Sequence, residues 1–206
     1  MLLKLNHKVP EENHIQIITA CLKNNGIIIY PTDSIYGLGC DMRSPKAIER
    51  ICRIKGIKVE KSNFSFLFSD LSHLSEFTKP VETSIFKIMK KALPGPFTFI
   101  LNASNNIPKM FNSKKRKIGI RVPKNEICKQ ILLKLGNPLL NTSIHDEDDD
   151  IIEYMNNPDD IYKKYHKLVD IVIDGGNGNI FPSTVVDCSG GTVEIIRQGI
   201  GIIEGY

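Results

Sequence analysis

Short runs rich in β-branched and aromatic residues recur along the whole chain, and the segments between them repeat their apolar residues at helical spacing. The two periods are not interchangeable, so the alternation restricts the chain to helices layered on a sheet. Ile15, Ile18, Cys21 and Leu22 mark a helix over 14–25, with Gly26 as its stop. Ser44-Pro45 supplies an N-cap and a first-turn proline, and Ala47, Ile48, Ile51 and Ile54 carry that helix to Gly56. Further helices are predicted over 71–77, 81–92, 125–135 and 158–167. Strands are predicted over 27–30, 64–68, 97–101, 118–122, 138–141, 168–173, 184–188 and 193–196. Gly190-Gly191 reads as a hairpin turn between the last two strands, which makes the sheet mixed. The expectation is one α/β domain spanning 1–206.

The 206 residues are long enough to bury a substantial core. Their 41% hydrophobic and 24% charged content is that of a soluble globular protein. No apolar stretch reaches membrane-spanning length, and the first residues lack a signal-peptide pattern, so a cytoplasmic location with no membrane partner is expected. Five widely spaced cysteines (Cys21, Cys40, Cys52, Cys128, Cys188) without a C-x-x-C pair read as buried free thiols. A net charge of +4 permits an anionic ligand without arguing for nucleic acid.

Several common chemistries are missing from the sequence. There is no G-x-x-x-x-G-K-[ST] phosphate loop, no H-E-x-x-H and no G-x-S-x-G. Gly175-Gly176-Asn177-Gly178 has no helix after it, so it does not make a dinucleotide-binding loop. The run Asp146-Glu147-Asp148-Asp149-Asp150 reads as a solvated acidic loop, and no protein-built metal site is expected. Lys114-Lys115-Arg116-Lys117 reads either as an exposed basic turn or as a phosphate or RNA contact.

The segment Tyr30-Pro31-Thr32-Asp33-Ser34-Ile35-Tyr36-Gly37-Leu38-Gly39-Cys40 leaves a buried strand and enters a loop rich in hydroxyls and glycine, fitted to a polar ligand. It resembles the Y-P-T-[DE]-[TS]-x-Y-G-L-G signature of the YrdC/YciO family. Further segments are similar to that family in the same order: Pro94-Gly95-Pro96-Phe97-Thr98, Gly119-Ile120-Arg121-Val122-Pro123, Thr142-Ser143, Pro182-Ser183-Thr184-Val185-Val186-Asp187 and Ile195-Ile196-Arg197-Gln198-Gly199.

The resemblance implies a single YrdC-like domain, a twisted open mixed sheet with flanking helices. It also implies threonylcarbamoyl-adenylate synthesis from threonine, bicarbonate and ATP, with Mg²⁺ on the nucleotide, pyrophosphate released and a tRNA-modification complex downstream. Carried over by position, Lys55, Arg121 and Ser143 are the candidate catalytic residues, and Lys55, Lys117, Ser143 and Arg197 the nucleotide contacts. Thr32, Ser34, Arg121, Asn141, Ser183 and Thr184 are the candidate threonine contacts, Arg121 gripping the carboxylate with two parallel hydrogen bonds. Two positions depart from the catalytic pattern. K-x-R reads Lys55-Gly56-Ile57, and S-x-N reads Ser143-Ile144-His145. Ile57 cannot neutralise phosphate, and Phe68 stands near a position where many members are polar. These departures place the sequence nearest the YciO branch. The competing expectation is a nucleotide- or double-stranded-RNA-binding protein with little or no synthase activity.

Overall fold

The computed structural model describes residues 1–59, 62, 64–107, 116–144 and 154–203. In chain order the elements are β1 (Leu2–Lys4), α1 (Glu12–Lys23), β2 (Ile28–Tyr30), β3 (Gly37–Asp41), α2 (Pro45–Lys55) and β4 (Ser65–Leu67). Then follow α3 (Leu74–Phe77), α4 (Thr83–Ala92), β5 (Phe97–Asn102), β6 (Lys117–Arg121), α5 (Glu126–Leu135) and β7 (Leu139–Ser143). The last are α6 (Pro158–Tyr165), β8 (Ile171–Asp174), β9 (Thr184–Asp187) and β10 (Glu194–Arg197). The strands form one sheet in the order β1-β8-β2-β3-β7-β4-β6-β5-β9-β10. It is mixed, as expected: β8 runs parallel to β1 and β2, whereas β3 and β7 run antiparallel to their neighbours.

Local chemistry sets most of the boundaries. The Ser44 hydroxyl accepts from the Ala47 amide, Pro45 fills the first turn of α2, and Gly56 closes it at φ +66°. Asn125 caps α5 in the same way, and Gly136 ends it at φ +74°. At the end of α1 the left-handed residue is Asn25 rather than the expected Gly26. Gly26 is needed for a different reason, since a Cβ there would press on the Cys21 carbonyl. The Gly190-Gly191 hairpin forms, with β9 and β10 antiparallel.

Two strands are absent from the sequence-based expectation. β1 has three residues and pairs at the edge of β8, too short to show a period. β3 lies inside the segment read as a loop, hidden by its two glycines. They are there because the Tyr30 ring lies against β3. A Cβ on Gly39 would sit 2.9 Å from the Tyr30 hydroxyl and against the Leu140 carbonyl, and one on Gly37 would strike Asn141. Tyr30 is fully buried and donates to Asn141 Oδ1 at 2.8 Å, and Asn141 Nδ2 donates to Ser65 Oγ at 3.1 Å.

Alternation along the strands builds two cores. Ile27, Ile29, Leu38, Phe66, Ile120 and Leu140 join the face covered by α2, α4 and α6. Ile28, Tyr30, Leu67, Leu139, Ile171 and Ile173 join the face covered by α1 and α5. Beyond Leu67 that second face carries small or polar residues (Ser65, Thr98, Gly119, Asn141), and no helix of that core reaches them. The sheet therefore keeps a stretch of its second face open.

Gly39→Ala should remove about 2–3 kcal/mol of folding stability by overpacking the Tyr30–β3 contact. The measurement is a urea titration with unchanged slope and a lower midpoint. An unchanged midpoint would mean that the ring moves aside.

Candidate functional site

The open part of the second face is the floor of a cavity of about 600 Å³. Short side chains make this space: Gly37 and Ser143 pair across β3–β7, and Ser65 faces both Asn141 and Gly119. A Cβ on Gly119 would come within 3.2 Å of Thr98 and 3.3 Å of Ser65. The walls are partly apolar, with Ile35, Phe64, Ile100, Val185 and Ile196 beside Tyr36. Lys117, Arg121 and Arg197 are the cationic side chains among its described lining. A large cleft of this kind, apolar with a few convergent polar groups, suits a small organic anion.

Arg121 is the most constrained of these groups. It is 5% exposed, and its Nη2 donates to Asp33 Oδ1 at 3.1 Å and to Ser34 Oγ at 2.9 Å. Asp33 Oδ2 in turn accepts from the Lys124 amide at 2.8 Å. The Arg121 Nε is buried and has no hydrogen-bond partner. Such an orphaned donor costs about 1–3 kcal/mol. Both protons of Nη2 are committed, and each paired edge of a guanidinium uses one of them, so the two-pronged grip expected from sequence would require Asp33 or Ser34 to release one.

Arg197 lies across from it. The residue is exposed overall, but its guanidinium is partly enclosed and donates to the Ser183 carbonyl at 2.8 and 3.3 Å. Partial enclosure lowers its pKa, Tyr154 opposes the shift, and the like charge of Arg121 adds to the lowering. Ser183 is buried, and its hydroxyl is 2.9 Å from that of Thr98. Lys117 pairs with Asp187 at 2.8 Å. Burial pushes the Asp187 carboxyl up, but the hydrogen bonds from Lys117 and Ser189 outweigh it, and the net shift is downward.

The structure brings Lys117, Arg121, Asn141, Ser143, Ser183 and Arg197 to one cavity. Thr32 and Ser34 stand behind it. The Thr32 hydroxyl donates to the Ile35 carbonyl at 2.7 Å and accepts from the Ser34 amide, while Ser34 buttresses Arg121. Thr184 is one residue along β9 from Ser183 and so points to the opposite side, where it donates to the Gly201 carbonyl at 2.6 Å. It is a strut for the C-terminal segment and is not in the lining, contrary to the expected contact. Lys55, half-buried at the end of α2, is also outside the lining. Ile57 packs against the first core, and Phe68 is buried there, stacked edge-on with Phe77 at 5.2 Å. His145, the acidic run 146–150, and Lys114 and Lys115 of the basic run lie outside the described residues.

Sequence reading missed Asp33 as the partner of Arg121 and missed Tyr36. Tyr36 donates to the Gly176 carbonyl at 2.7 Å, and a Cβ on Gly178 would come 2.6 Å from its ring. That contact explains Gly178, whereas a Cβ on Gly175 would strike Pro31 and Ile127, and Gly176 sits at φ +92°. All five cysteines are free. Burial, then the Asp187 carboxylate, pushes the Cys188 thiol up to about 11, which makes it a poor nucleophile. Among the described residues no group of three or more His, Cys, Asp or Glu could hold a metal, and no helix is long and apolar enough to cross a membrane.

A mixed ten-stranded sheet with a hydroxyl- and guanidinium-lined cavity on its open face defines a YrdC-like fold. The chain belongs to the Sua5/YciO/YrdC family, whose model, described as "Telomere recombination", matches residues 20–199. It is 36% identical to the uncharacterized protein YciO of Escherichia coli over 198 residues, 96% of this chain and 94% of YciO. The crystal structure of E. coli YciO superposes with a TM-score of 0.91 at 33% identity, covering 99% of this chain and 98% of that one. The threonylcarbamoyl-AMP synthase of Coxiella burnetii is 30% identical over 127 residues, 62% of this chain and 68% of that protein. The fold is shared with P. abyssi Sua5 complexed with L-threonine, with a TM-score of 0.87 at 21% identity, covering 97% of this chain and 57% of Sua5.

The depressed Asp187 pKa has a stability consequence. Its contribution is fully present above the ordinary value near 3.8 and is lost as pH falls through the lower folded value. The stability gap between wild type and Asp187→Asn should therefore be constant near neutrality and close in acid. Urea titrations from pH 2 to 6 measure it, and a gap that persists at pH 2 would assign the loss to packing.

Proposed function

We propose that this protein forms threonylcarbamoyl-AMP and pyrophosphate from L-threonine, bicarbonate and ATP, in the cytoplasm, for transfer by a tRNA-modification complex. The observation that carries this reading is Arg121, a buried guanidinium lining a cavity that also holds Arg197 and Lys117. Family membership, and the name of the Coxiella relative, support the choice of reaction.

In this reading Arg121 receives the threonine carboxylate. The floor hydroxyls Ser143 and Ser183, with Asn141, surround the threonine hydroxyl and the carbamate, and Thr32 and Ser34 act through Arg121. The threonine ammonium releases a proton to solvent, and its nitrogen bonds to the bicarbonate carbon with loss of water. A carbamate oxygen then attacks the α-phosphorus, and the bond to the β-phosphate oxygen breaks to release pyrophosphate. Arg197 and Lys117 face the phosphates and offset their charge. Lys55 serves the triphosphate only if the nucleotide extends beyond the cavity toward the end of α2. The described residues around the cavity make no carboxylate cage for Mg²⁺. Mg²⁺ would enter as the counter-ion of ATP.

A second reading, a nucleotide- or double-stranded-RNA-binding protein with little turnover, is favoured by one observation. Ile57 stands where the catalytic branch has arginine, and it packs into the core. Pyrophosphate release measured with and without threonine and bicarbonate separates the two. The synthase reading expects release that requires both, and Arg121→Ala lowering kcat/KM by about 100-fold or more. Release independent of threonine overturns it. RNA binding that weakens steeply with salt would then support the second reading.

A further inference from the structure

The Arg121–Asp33 pair sets the charge of one end of the cavity. The two side chains are 6% and 8% exposed, so water screens neither. Asp33 is held by two contacts, its ion pair through Oδ1 and the Lys124 amide on Oδ2. Both oxygens are thus occupied from the protein side, and Asp33 is not in the cavity lining. Its carboxylate neutralises the guanidinium from behind, while Arg121 itself lines the cavity. The wall consequently offers hydrogen-bond donors to a carboxylate but brings no net charge to match it.

Resting on the threonine site proposed above, we infer that Asp33 is a specificity-determining residue that tunes this end of the cavity to a zwitterionic amino acid. A zwitterion carries its own ammonium and needs only the donors of Arg121. A carboxylate without the ammonium brings a net negative charge, and meets the field of Asp33 as well as that of Arg121. At the short distances and low effective dielectric of a buried site such a difference is large. Asp33 acts on the ligand through Arg121 and through this field, without touching it. The Ser34 hydroxyl takes the second Nη2 proton and holds the guanidinium in place, so orientation and charge are set by adjacent residues and can be varied separately.

The test compares L-threonine with 3-hydroxybutyrate, which has the same hydroxyl and carboxylate but no ammonium. Binding is measured by calorimetry, so turnover is not needed. Wild type should prefer threonine. Asp33→Asn keeps an acceptor for the Lys124 amide and removes the charge, and should shift the affinity ratio toward 3-hydroxybutyrate by about tenfold or more. Asp33→Glu should restore the wild-type preference. An unchanged ratio in a folded D33N protein, checked by its melting curve, overturns the inference and leaves Asp33 as a structural anchor. Should D33N melt below the assay temperature, Asp33→Ser makes the same comparison.

Malonate, a dianion, gives a readout independent of threonine: D33N should bind it about tenfold more tightly than wild type, and equal affinity overturns the inference. Failure of wild type to bind threonine would sink the synthase reading. A malonate gain in D33N would, in that case, still support the charge role of Asp33.

Discussion

Burying a guanidinium is costly, and this fold meets that cost with one carboxylate and one hydroxyl drawn from the same loop. Arg121 on β6 reaches Asp33 and Ser34, which follow β2 by a few residues. In the sheet β2 and β6 are separated by β3, β7 and β4, so this contact ties distant strands across the open face. Removing either partner of such a pair typically costs about 3–5 kcal/mol, because a lone buried charge remains. The pair is better understood as fixing geometry than as adding stability, since a well-packed apolar pair could be as stable.

From that constraint the cavity follows. With the loop after β2 anchored over β6, the intervening strands must present short side chains, and Gly37, Ser143 and Ser65 do so, with Gly119 continuing the row on β6. Tyr30, on the same face, supports them from the side through Asn141, which bonds both its hydroxyl and Ser65. The C-terminal hairpin supplies the opposite wall, where Arg197 clasps the Ser183 carbonyl. The polar groups that could meet a ligand thus belong to strands, whose positions are set by hydrogen-bonded register.

Local signals carried into the structure where they act locally. Ser44-Pro45 and Gly56 delimit α2, and the hairpin at Gly190-Gly191 forms as its glycines indicate. Arg121, Ser183 and Arg197 could be placed together only through family resemblance, since nothing within a few residues of any of them reports the others. Nothing local marks Asp33, whose partner is 88 residues away. The motif groups Thr184 with Ser183, whereas strand alternation sends neighbours to opposite faces. β3 has no strand signal in the sequence because Gly37 and Gly39 lower strand propensity. Their reason for being there, the Tyr30 ring, is a tertiary contact.

In the proposed reaction Arg121 receives a carboxylate while Arg197 faces a phosphate. A crystal structure with L-threonine and a non-hydrolysable ATP analogue tests this directly. The expected result is the threonine carboxylate at about 3 Å from the Arg121 guanidinium, with the nucleotide phosphates lying toward Arg197 and Lys117. A cavity occupied with Arg121 untouched, or a nucleotide bound elsewhere on the molecule, would contradict it.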